Sequence, residues 1–331
     1  MKHIISLKEQ SKEDILEMLN MAIKIKEERN KGKMPVYLPQ KTMIMFFEKS
    51  STRTRLSFEA GMTELGGHAI FLDKRTTQFS LTDFKDEVQA VLRFCDILMY
   101  RAMKAESVEL AASFNRVPVI DACSEKYHPA QALSDLLTMT EKANGVENIK
   151  KVTWLGVENN VSNTLMLVCA KLGIKFFIAA PKVDKNSVDT ELNEMAKKTG
   201  LVTRTLDIEE AVTDSDFVNT DTWMNMEYFD GGKVKPEYKN EYDETISTMM
   251  PYQLNAEVIN KYAPEAKIMH CMPCHIGYEI SRDAVDHQNS VIFDQAENRT
   301  HMQKAMILWL LFHHQNTPYS SRCLYLQSQS Q

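Results

Sequence analysis

The sequence has 331 residues, enough for two domains of about 150 residues each. Its 44% hydrophobic and 25% charged residues are typical of soluble globular proteins, and no apolar run approaches the roughly 18 residues needed to span a bilayer. A net charge of −6 argues against a nucleic-acid-binding protein, and six scattered cysteines do not suggest a disulfide framework. The first residues contain no signal-peptide core. We therefore expect a cytosolic globular protein without a membrane segment.

Apolar segments alternate with amphipathic ones, a pattern typical of α/β proteins with parallel sheets. A long amphipathic helix is predicted over residues 7–30, and a buried strand at 42–47 precedes a helix over 51–65. Three short strands follow in this first series, at residues 69–72, 97–100 and 117–120, with helices between them. A helix at 129–143 ends the series.

A second series begins after the turn residues Asn144 and Gly145. Its predicted strands lie at 152–155, 175–179, 202–205, 217–219, 268–270 and 291–293, and its helices near 161–172, 187–199 and 255–261. The last helix, 296–314, is strongly apolar and needs a partner surface. We therefore expect an α/β fold of two doubly wound parallel-sheet domains, 1–145 and 146–299, followed by a polar tail at 317–331.

Hydroxyl and guanidinium groups are concentrated at residues 50–55, Ser-Ser-Thr-Arg-Thr-Arg, between a predicted strand and a helix. Free backbone N–H groups at a helix N-terminus bind anions, and Arg53 or Arg55 could add bidentate bonds to a phosphate. A Ser/Thr helix cap followed by solvated arginines is the alternative. The density of donors favours an anion site.

Three further segments lie at predicted ends of strands, where open α/β sheets bind ligands. His128 and Gln131 begin one helix and could hold a carbonyl or amide group, although a buried histidine that caps the turn explains them equally well in isolation. Asn159–Asn160 and residues 221–226 follow strands of the second series. Read alone, they could be turn and helix-cap residues.

Residues 270–275 contain two histidines and two cysteines, which suggests zinc or a Cys-x-x-Cys redox site. One short segment rarely wraps four ligands around a tetrahedral ion, and a second pair at zinc-binding spacing does not occur elsewhere in the sequence. We therefore predict that the protein uses neither a metal nor a redox disulfide here.

Four motifs occur in the order and at the spacing of one enzyme family: residues 47–59 (Phe-Glu-Lys-Ser-Ser-Thr-Arg-Thr-Arg-Leu-Ser-Phe-Glu), 128–131 (His-Pro-Ala-Gln), 270–273 (His-Cys-Met-Pro) and 293–299 (Phe-Asp-Gln-Ala-Glu-Asn-Arg). Over about residues 3–315 the sequence resembles the aspartate/ornithine carbamoyltransferases. The His-Cys-x-Pro motif resembles the ornithine branch of that family.

The resemblance implies transfer of the carbamoyl group of carbamoyl phosphate to the δ-amine of L-ornithine, a reversible step of arginine metabolism that needs no cofactor and no metal. It also implies a homotrimer with shared active sites and a last helix, at about 300–316, that returns to the first domain. For carbamoyl phosphate the implied residues are Ser51, Thr52, Arg53, Thr54, Gln78, Arg101, His128, Gln131 and Arg299. For ornithine they are Asn160, Asp221, Asn225, Met226, Cys271 and Met272. Of these residues, Arg101, His128 and Cys271 are the implied catalytic ones.

Three segments depart from the family pattern. Residues 156–158 are Gly-Val-Glu where Gly-Asp is usual, 225–227 are Asn-Met-Glu in place of Ser-Met-Gly, and 78–83 lack the usual Gly and Lys-Glu-Ser run. An enzyme for putrescine or another amine is therefore an alternative, although such an enzyme has no use for Asp221 and Asn160 as ligands of an α-amino acid. A non-catalytic relative is a second alternative. The joint presence of the implied catalytic and carbamoyl-binding residues argues against it.

Overall fold

The computed structural model describes residues 1–79, 81–224, 228–230 and 233–314. The described residues divide into two compact units, one formed by Met1–Leu137 together with residues 297–314 and the other by Thr138–Ala296. Each unit is built on a parallel sheet with helices, which confirms the predicted fold class. The predicted domain limits, and the predicted tail at 317–331, which lies outside the described residues, stay predictions.

The first unit contains a four-stranded parallel sheet in the order β2-β1-β3-β4. The apolar strand β1 lies inside the sheet, where five of its six side chains are buried. The strands are β1 (Thr42–Phe47), β2 (His68–Asp73), β3 (Ile97–Arg101) and β4 (Val119–Asp121). The helices up to the second unit are α1 (Lys12–Asn30), α2 (Thr52–Glu64), α3 (Phe84–Val91), α4 (Ala105–Ser113) and α5 (Pro129–Ala143).

The second unit contains a five-stranded parallel sheet in the order β11-β8-β5-β6-β7 and a separate short antiparallel pair, β9 with β10. The strands are β5 (Lys151–Leu155), β6 (Lys175–Ala179), β7 (Val202–Thr205), β8 (Phe217–Thr220), β9 (Phe229–Asp230), β10 (Lys233–Val234) and β11 (Lys267–His270). The helices are α6 (Asn160–Leu172), α7 (Thr190–Lys197), α8 (Ile208–Val212), α9 (Lys239–Met249), α10 (Ala256–Tyr262), α11 (Arg282–Val285) and α12 (Ile292–His314), the last of which continues into the first unit.

Several predicted boundaries differ from the structure by a few residues, and two of the differences are instructive. The first helix begins at Lys12 instead of residue 7, because Ser11 and Asp14 form a capping box in which each side chain accepts a hydrogen bond from the other residue's backbone N–H. The predicted strand at 291–293 is the start of α12. Just before the helix, a single parallel bridge joins Ser290 to Ile268 of β11: the N–H of Ile268 donates to the carbonyl of Asn289 and the N–H of Val291 donates to the carbonyl of Ile268, both at 3.0 Å. Three apolar residues were too short a run to distinguish a strand from a helix start.

Helix α12 packs within the first unit through an apolar face and a few polar contacts, which confirms the expected return of the last helix. Trp309 is fully buried and its Nε1 donates to Glu17 of α1 at 2.9 Å, while Lys304 Nζ donates to Glu64 of α2 at 2.6 Å. None of the helices in the described part of the chain is both long and apolar enough to cross a membrane.

His301 of α12 makes the stability of the fold depend on pH. Burial, followed by the charges of Lys304, Lys26 and Arg29, lowers the pKa of His301 to about 3. Between its unfolded pKa of about 6.5 and pH 3, only the unfolded chain takes up a proton, so His301 destabilises the fold as the pH falls through this range. We expect the difference in free energy of unfolding between wild type and His301→Gln to shift by about 2 kcal/mol between pH 7 and pH 5.

Urea unfolding at pH 7, 6 and 5 measures this difference. It also cancels the contributions of groups common to both proteins, including Asp121, whose pKa is raised to about 7 by burial. The exposed His68, replaced by Gln, is the control and should show no such shift. A difference between wild type and His301→Gln that stays constant with pH would contradict the prediction.

Candidate active site

The phosphate-type motif of the sequence lies at the N-terminus of α2, directly after β1. Ser51 has an extended backbone and its Oγ accepts a hydrogen bond from the backbone N–H of Thr54 at 3.3 Å, so it caps the helix. The chain adds β2 on one side of β1 and then β3 on the other, and ligands of parallel sheets bind at such a change of direction. The unpaired N–H groups and positive dipole of this helix end suit an anion.

Two guanidinium groups converge on Thr54. Nη2 of the buried Arg299 donates to Thr54 Oγ1 at 2.9 Å, and Nη1 of Arg101, at the end of β3, lies 3.5 Å from the same oxygen. Arg299 also donates to Oε1 of Gln131, whose Nε2 donates to Asp135 at 2.7 Å. Four residues predicted for carbamoyl phosphate thus lie together, and they concentrate positive charge beside the first turn of α2.

His128 immediately precedes α5 and is buried in the first unit. Burial, followed by the charges of Arg299, Arg101 and Lys49, holds the pKa of His128 well below its usual range. The imidazole is therefore neutral at physiological pH, and one of its nitrogens carries a proton. A neutral ring can donate a hydrogen bond to a carbonyl oxygen while it adds no further charge to the arginine group.

The other residues predicted for this half lie on the surface or partly on it. Thr52 is exposed and Arg53 is half-buried, both in the first turn of α2, and Gln78 is exposed between β2 and α3. The positions of Thr52 and Arg53 in the first turn of α2 agree with an anion site. The binding roles of all three residues stay predictions.

In the second unit, Asp221 directly follows β8 and accepts three hydrogen bonds. Its Oδ1 accepts from the backbone N–H of Thr222 at 2.8 Å and from Sγ of Cys271 at 2.9 Å, and its Oδ2 accepts from Nδ2 of Asn159 at 2.8 Å. Cys271 follows β11, the neighbour of β8 in the sheet. A carboxylate offers about four acceptor positions, so Asp221 can accept one more hydrogen bond, such as that of an ammonium group.

Asn159 was missing from the predicted site, which included its neighbour Asn160 instead. Asn159 caps α6: its Oδ1 accepts from the backbone N–H groups of Val161 and Ser162 at 3.0 and 3.1 Å. With Oδ1 held there, Nδ2 is directed to Asp221. The Asn-x-x-Ser spacing of a capping box was the available signal in the sequence, but it indicates a cap and not a partner 62 residues away. Asn160 is half-buried at the first position of α6.

His270 holds the loop that carries Cys271 and Met272. The backbone N–H of Met272 donates to His270 Nδ1 at 2.8 Å, and Nε2 lies 3.1 Å from Oε1 of the buried Glu279. Ligand-type atoms of Asp221, His270 and Cys271 lie within 4.8 Å of one another. Both nitrogens of His270 are already engaged by protein groups, which does not fit a metal ligand. The predicted absence of a metal stays a prediction.

Two predicted ornithine-binding residues, Asn225 and Met226, lie outside the described residues. Trp223 and Met224, which precede them, line two cavities of the second unit, of about 730 and 800 Å³. The larger cavity is lined in part by Asn159, so it lies beside the group around Asp221.

The chain is similar to known proteins along most of its length. Residues 2–141 match the carbamoyl-P binding domain of aspartate/ornithine carbamoyltransferases, and 148–310 match the Asp/Orn binding domain. The chain is 39% identical to an ornithine carbamoyltransferase of Methanospirillum hungatei over 94% of this chain and 99% of that one. An Archaeoglobus fulgidus ornithine carbamoyltransferase is 36% identical over 94% and 98% of the two chains.

Solved structures are also similar. The ornithine carbamoyltransferase from Pyrococcus furiosus superposes with a TM-score of 0.84 at 33% identity, covering 94% of this chain and 97% of that chain. The anabolic ornithine carbamoyltransferase from Campylobacter jejuni superposes with a TM-score of 0.82 at 35% identity, covering 94% and 99%.

Proposed function

The chain belongs to the aspartate/ornithine carbamoyltransferase family, and we propose that it transfers the carbamoyl group of carbamoyl phosphate to the δ-amine of L-ornithine. The observation that carries the proposal is the convergence of Arg101 and Arg299 on Thr54 at the N-terminus of α2. This cluster of cationic and hydroxyl groups fits an acyl phosphate, in which a carbonyl is joined directly to the phosphate. The family model and the names of the relatives support the acceptor.

In the proposed complex the phosphate binds to the first turn of α2, with Ser51, Thr52, Arg53 and Thr54 as donors. Arg101 and Arg299 neutralise its charge, and Gln131 binds the carbamoyl amide. Oriented cations and N–H groups stabilise a leaving phosphate without any reorganisation during the reaction.

The reaction begins when the neutral δ-amine attacks the carbamoyl carbon. The C–N bond forms, negative charge develops on the carbamoyl oxygen, and donors such as Arg101, neutral His128 and Thr54 stabilise it. The tetrahedral intermediate then collapses, the C–O bond to phosphate breaks with its electron pair leaving on the phosphate, and the departing phosphate takes up the proton that the attacking nitrogen loses. Each of these steps needs only groups that the chain and its two substrates provide.

At the acceptor, we propose that Asp221 pairs with the α-ammonium group of ornithine and that Asn160, Asn225 and Met226 bind the rest of its amino-acid end. Cys271 and Met272 lie beside the attacking amine. The hydrogen bonds that orient Asp221 support this arrangement, because a carboxylate held on both oxygens presents a defined direction to a ligand.

A diamine such as putrescine is the competing acceptor: its second ammonium group could also pair with Asp221, but it lacks the α-carboxylate that the other groups of the amino-acid end would bind. Initial rates with ornithine and putrescine, measured on the same enzyme with citrulline and carbamoylputrescine as products, distinguish the two. We expect ornithine to have the higher kcat/KM. An equal or higher value for putrescine would contradict the proposal, and no turnover with either amine would favour a non-catalytic relative.

We also propose a homotrimer with shared active sites, in which Gln78 reaches the phosphate site of a neighbouring subunit. Two exposed apolar side chains of the first unit support contact with another copy: Leu56 of α2 is 62% exposed, and Ile70 on the edge strand β2 is 39% exposed. Light scattering should give three times the chain mass, and Leu56→Glu should lower it. An active monomer would contradict this assembly. The cytosolic location stays a prediction from the sequence.

A further inference from the structure

An ion pair braces the turn between β5 and α6, and the reaction described above does not use it. Glu158 is 8% exposed and accepts from Nε of Arg204 at 3.0 and 3.1 Å and from Nη2 at 2.8 Å. Arg204 lies on β7 and its Nη2 also donates to Asn193 of α7 at 2.6 Å. A bidentate guanidinium–carboxylate contact has a defined geometry, so it holds Glu158 in one orientation.

The backbone of Glu158 joins the same turn to the loop after β6. Its N–H donates to the carbonyl of Lys182 at 3.0 Å, and its carbonyl accepts from the N–H of Asp184 at 2.8 Å. These two bonds make a single parallel bridge with Val183. Lys182, Val183, Asp184 and Asn159 all line the cavity of about 800 Å³, so Glu158 connects two parts of its wall.

Asn159 follows Glu158 directly in the chain, so the position of Glu158 affects Asp221 and Cys271 through Asn159. The cap of α6 holds Oδ1 of Asn159, so Nδ2 can reach Oδ2 of Asp221 only while the turn keeps its place. Asp221 in turn accepts from Cys271 through its other oxygen. A shift of the turn would therefore rotate the carboxylate and loosen the contact with the thiol.

We propose that Glu158 and Arg204 are positioning residues for the acceptor half of the reaction and act through Asn159 on Asp221 and Cys271. This inference rests on the proposed function for its effect on catalysis. Glu158 belongs to segment 156–158, which departs from the usual family pattern, so the ion pair stabilises a turn whose sequence is particular to this chain. The ion pair should influence the binding of ornithine and leave the binding of carbamoyl phosphate unchanged, because the residues proposed to bind the phosphate belong to the other unit.

Steady-state kinetics test this separation. In Glu158→Gln and in Arg204→Met we expect the KM for ornithine to rise about tenfold, with kcat and the KM for carbamoyl phosphate changed by less than about twofold. Each substitution removes the same ion pair, and Arg204→Met in addition leaves the carboxylate of Glu158 without its partner. The KM for ornithine in the double variant should therefore be no higher than in either single variant. Arg204→Lys keeps the charge but loses the bidentate contact, so its KM for ornithine should lie between those of wild type and Arg204→Met.

A second readout does not depend on turnover. The Cys271 thiol donates to the Asp221 carboxylate, an arrangement that disfavours the reactive thiolate. We expect Glu158→Gln to speed alkylation of Cys271 by iodoacetamide by about threefold or more in the unliganded protein, measured by peptide mass spectrometry. Cys95 is the internal reference, because burial raises its pKa to about 12 and keeps it unreactive.

Matched controls come from exposed ion pairs of the same unit. Glu194→Gln and Arg282→Met remove one partner each from such pairs and should change neither KM nor labelling. Unchanged ornithine KM and unchanged labelling in Glu158→Gln and Arg204→Met would overturn the inference. So would a joint fall of kcat, both affinities and melting temperature, which indicates general destabilisation. If wild type forms no citrulline but labelling still responds to Glu158→Gln, the proposed function fails while the positioning role stands.

Discussion

Arg53→Ala is expected to abolish detectable carbamoyl transfer while the fold persists. Arg53 lies in the first turn of α2 beside Thr54, where Arg101 and Arg299 converge, and its planar guanidinium can form a bidentate contact with phosphate. Loss of a charge-assisted bidentate contact to phosphate should raise the barrier by about 3 kcal/mol or more, which is a loss of over a hundredfold. Citrulline formation at saturating ornithine measures the effect.

The control is Arg116→Ala, which removes an exposed arginine of the same unit and should leave activity within about twofold. Circular dichroism of Arg53→Ala should match wild type, because the side chain is only half-buried. Retention of more than about a tenth of wild-type activity would mean a barrier increase below about 1.4 kcal/mol and would sink the phosphate role of Arg53.

Asp221→Ala should lower kcat/KM for ornithine by at least about a hundredfold. An ammonium group without a counter-charge in a closed site is destabilised by about 3 kcal/mol or more. The substitution also removes the acceptor of Asn159 and Cys271, so the whole group around Asp221 loses its orientation. Initial rates across a range of ornithine concentrations measure the loss.

Two variants separate charge from shape. Asp221→Asn keeps the size of the side chain but removes the charge, and it should lose nearly as much kcat/KM as alanine if ion pairing with the substrate dominates. Asp243→Ala, which removes an exposed partner of Lys239 in the same unit, should have little effect. Wild-type kcat/KM for ornithine in Asp221→Asn would show that the carboxylate does not bind the α-ammonium.

Local patterns predicted most elements, because each depends on residues that are close in sequence. The strand at 42–47 was correct to the residue, as was the helix at 129–143, since an apolar run and a proline at the first helical position are local signals. The prediction of a strand at 291–293, where α12 begins, was wrong because it also depended on a local pattern alone. A run of three apolar residues satisfies either period, and only the position of Asp294 and the packing of the helix distinguish them.

The sequence by itself determined the two α/β series and the family, because the motifs at 47–59, 128–131, 270–273 and 293–299 are contiguous and can be recognised without a fold. Only the tertiary structure decided which of their side chains meet. Arg299 reaches Thr54 across 245 positions, and Asn159 and Cys271 meet Asp221 across 62 and 50. The order in which strands cross the sheet brings these residues together, and that order is set by long-range packing that no local periodicity encodes.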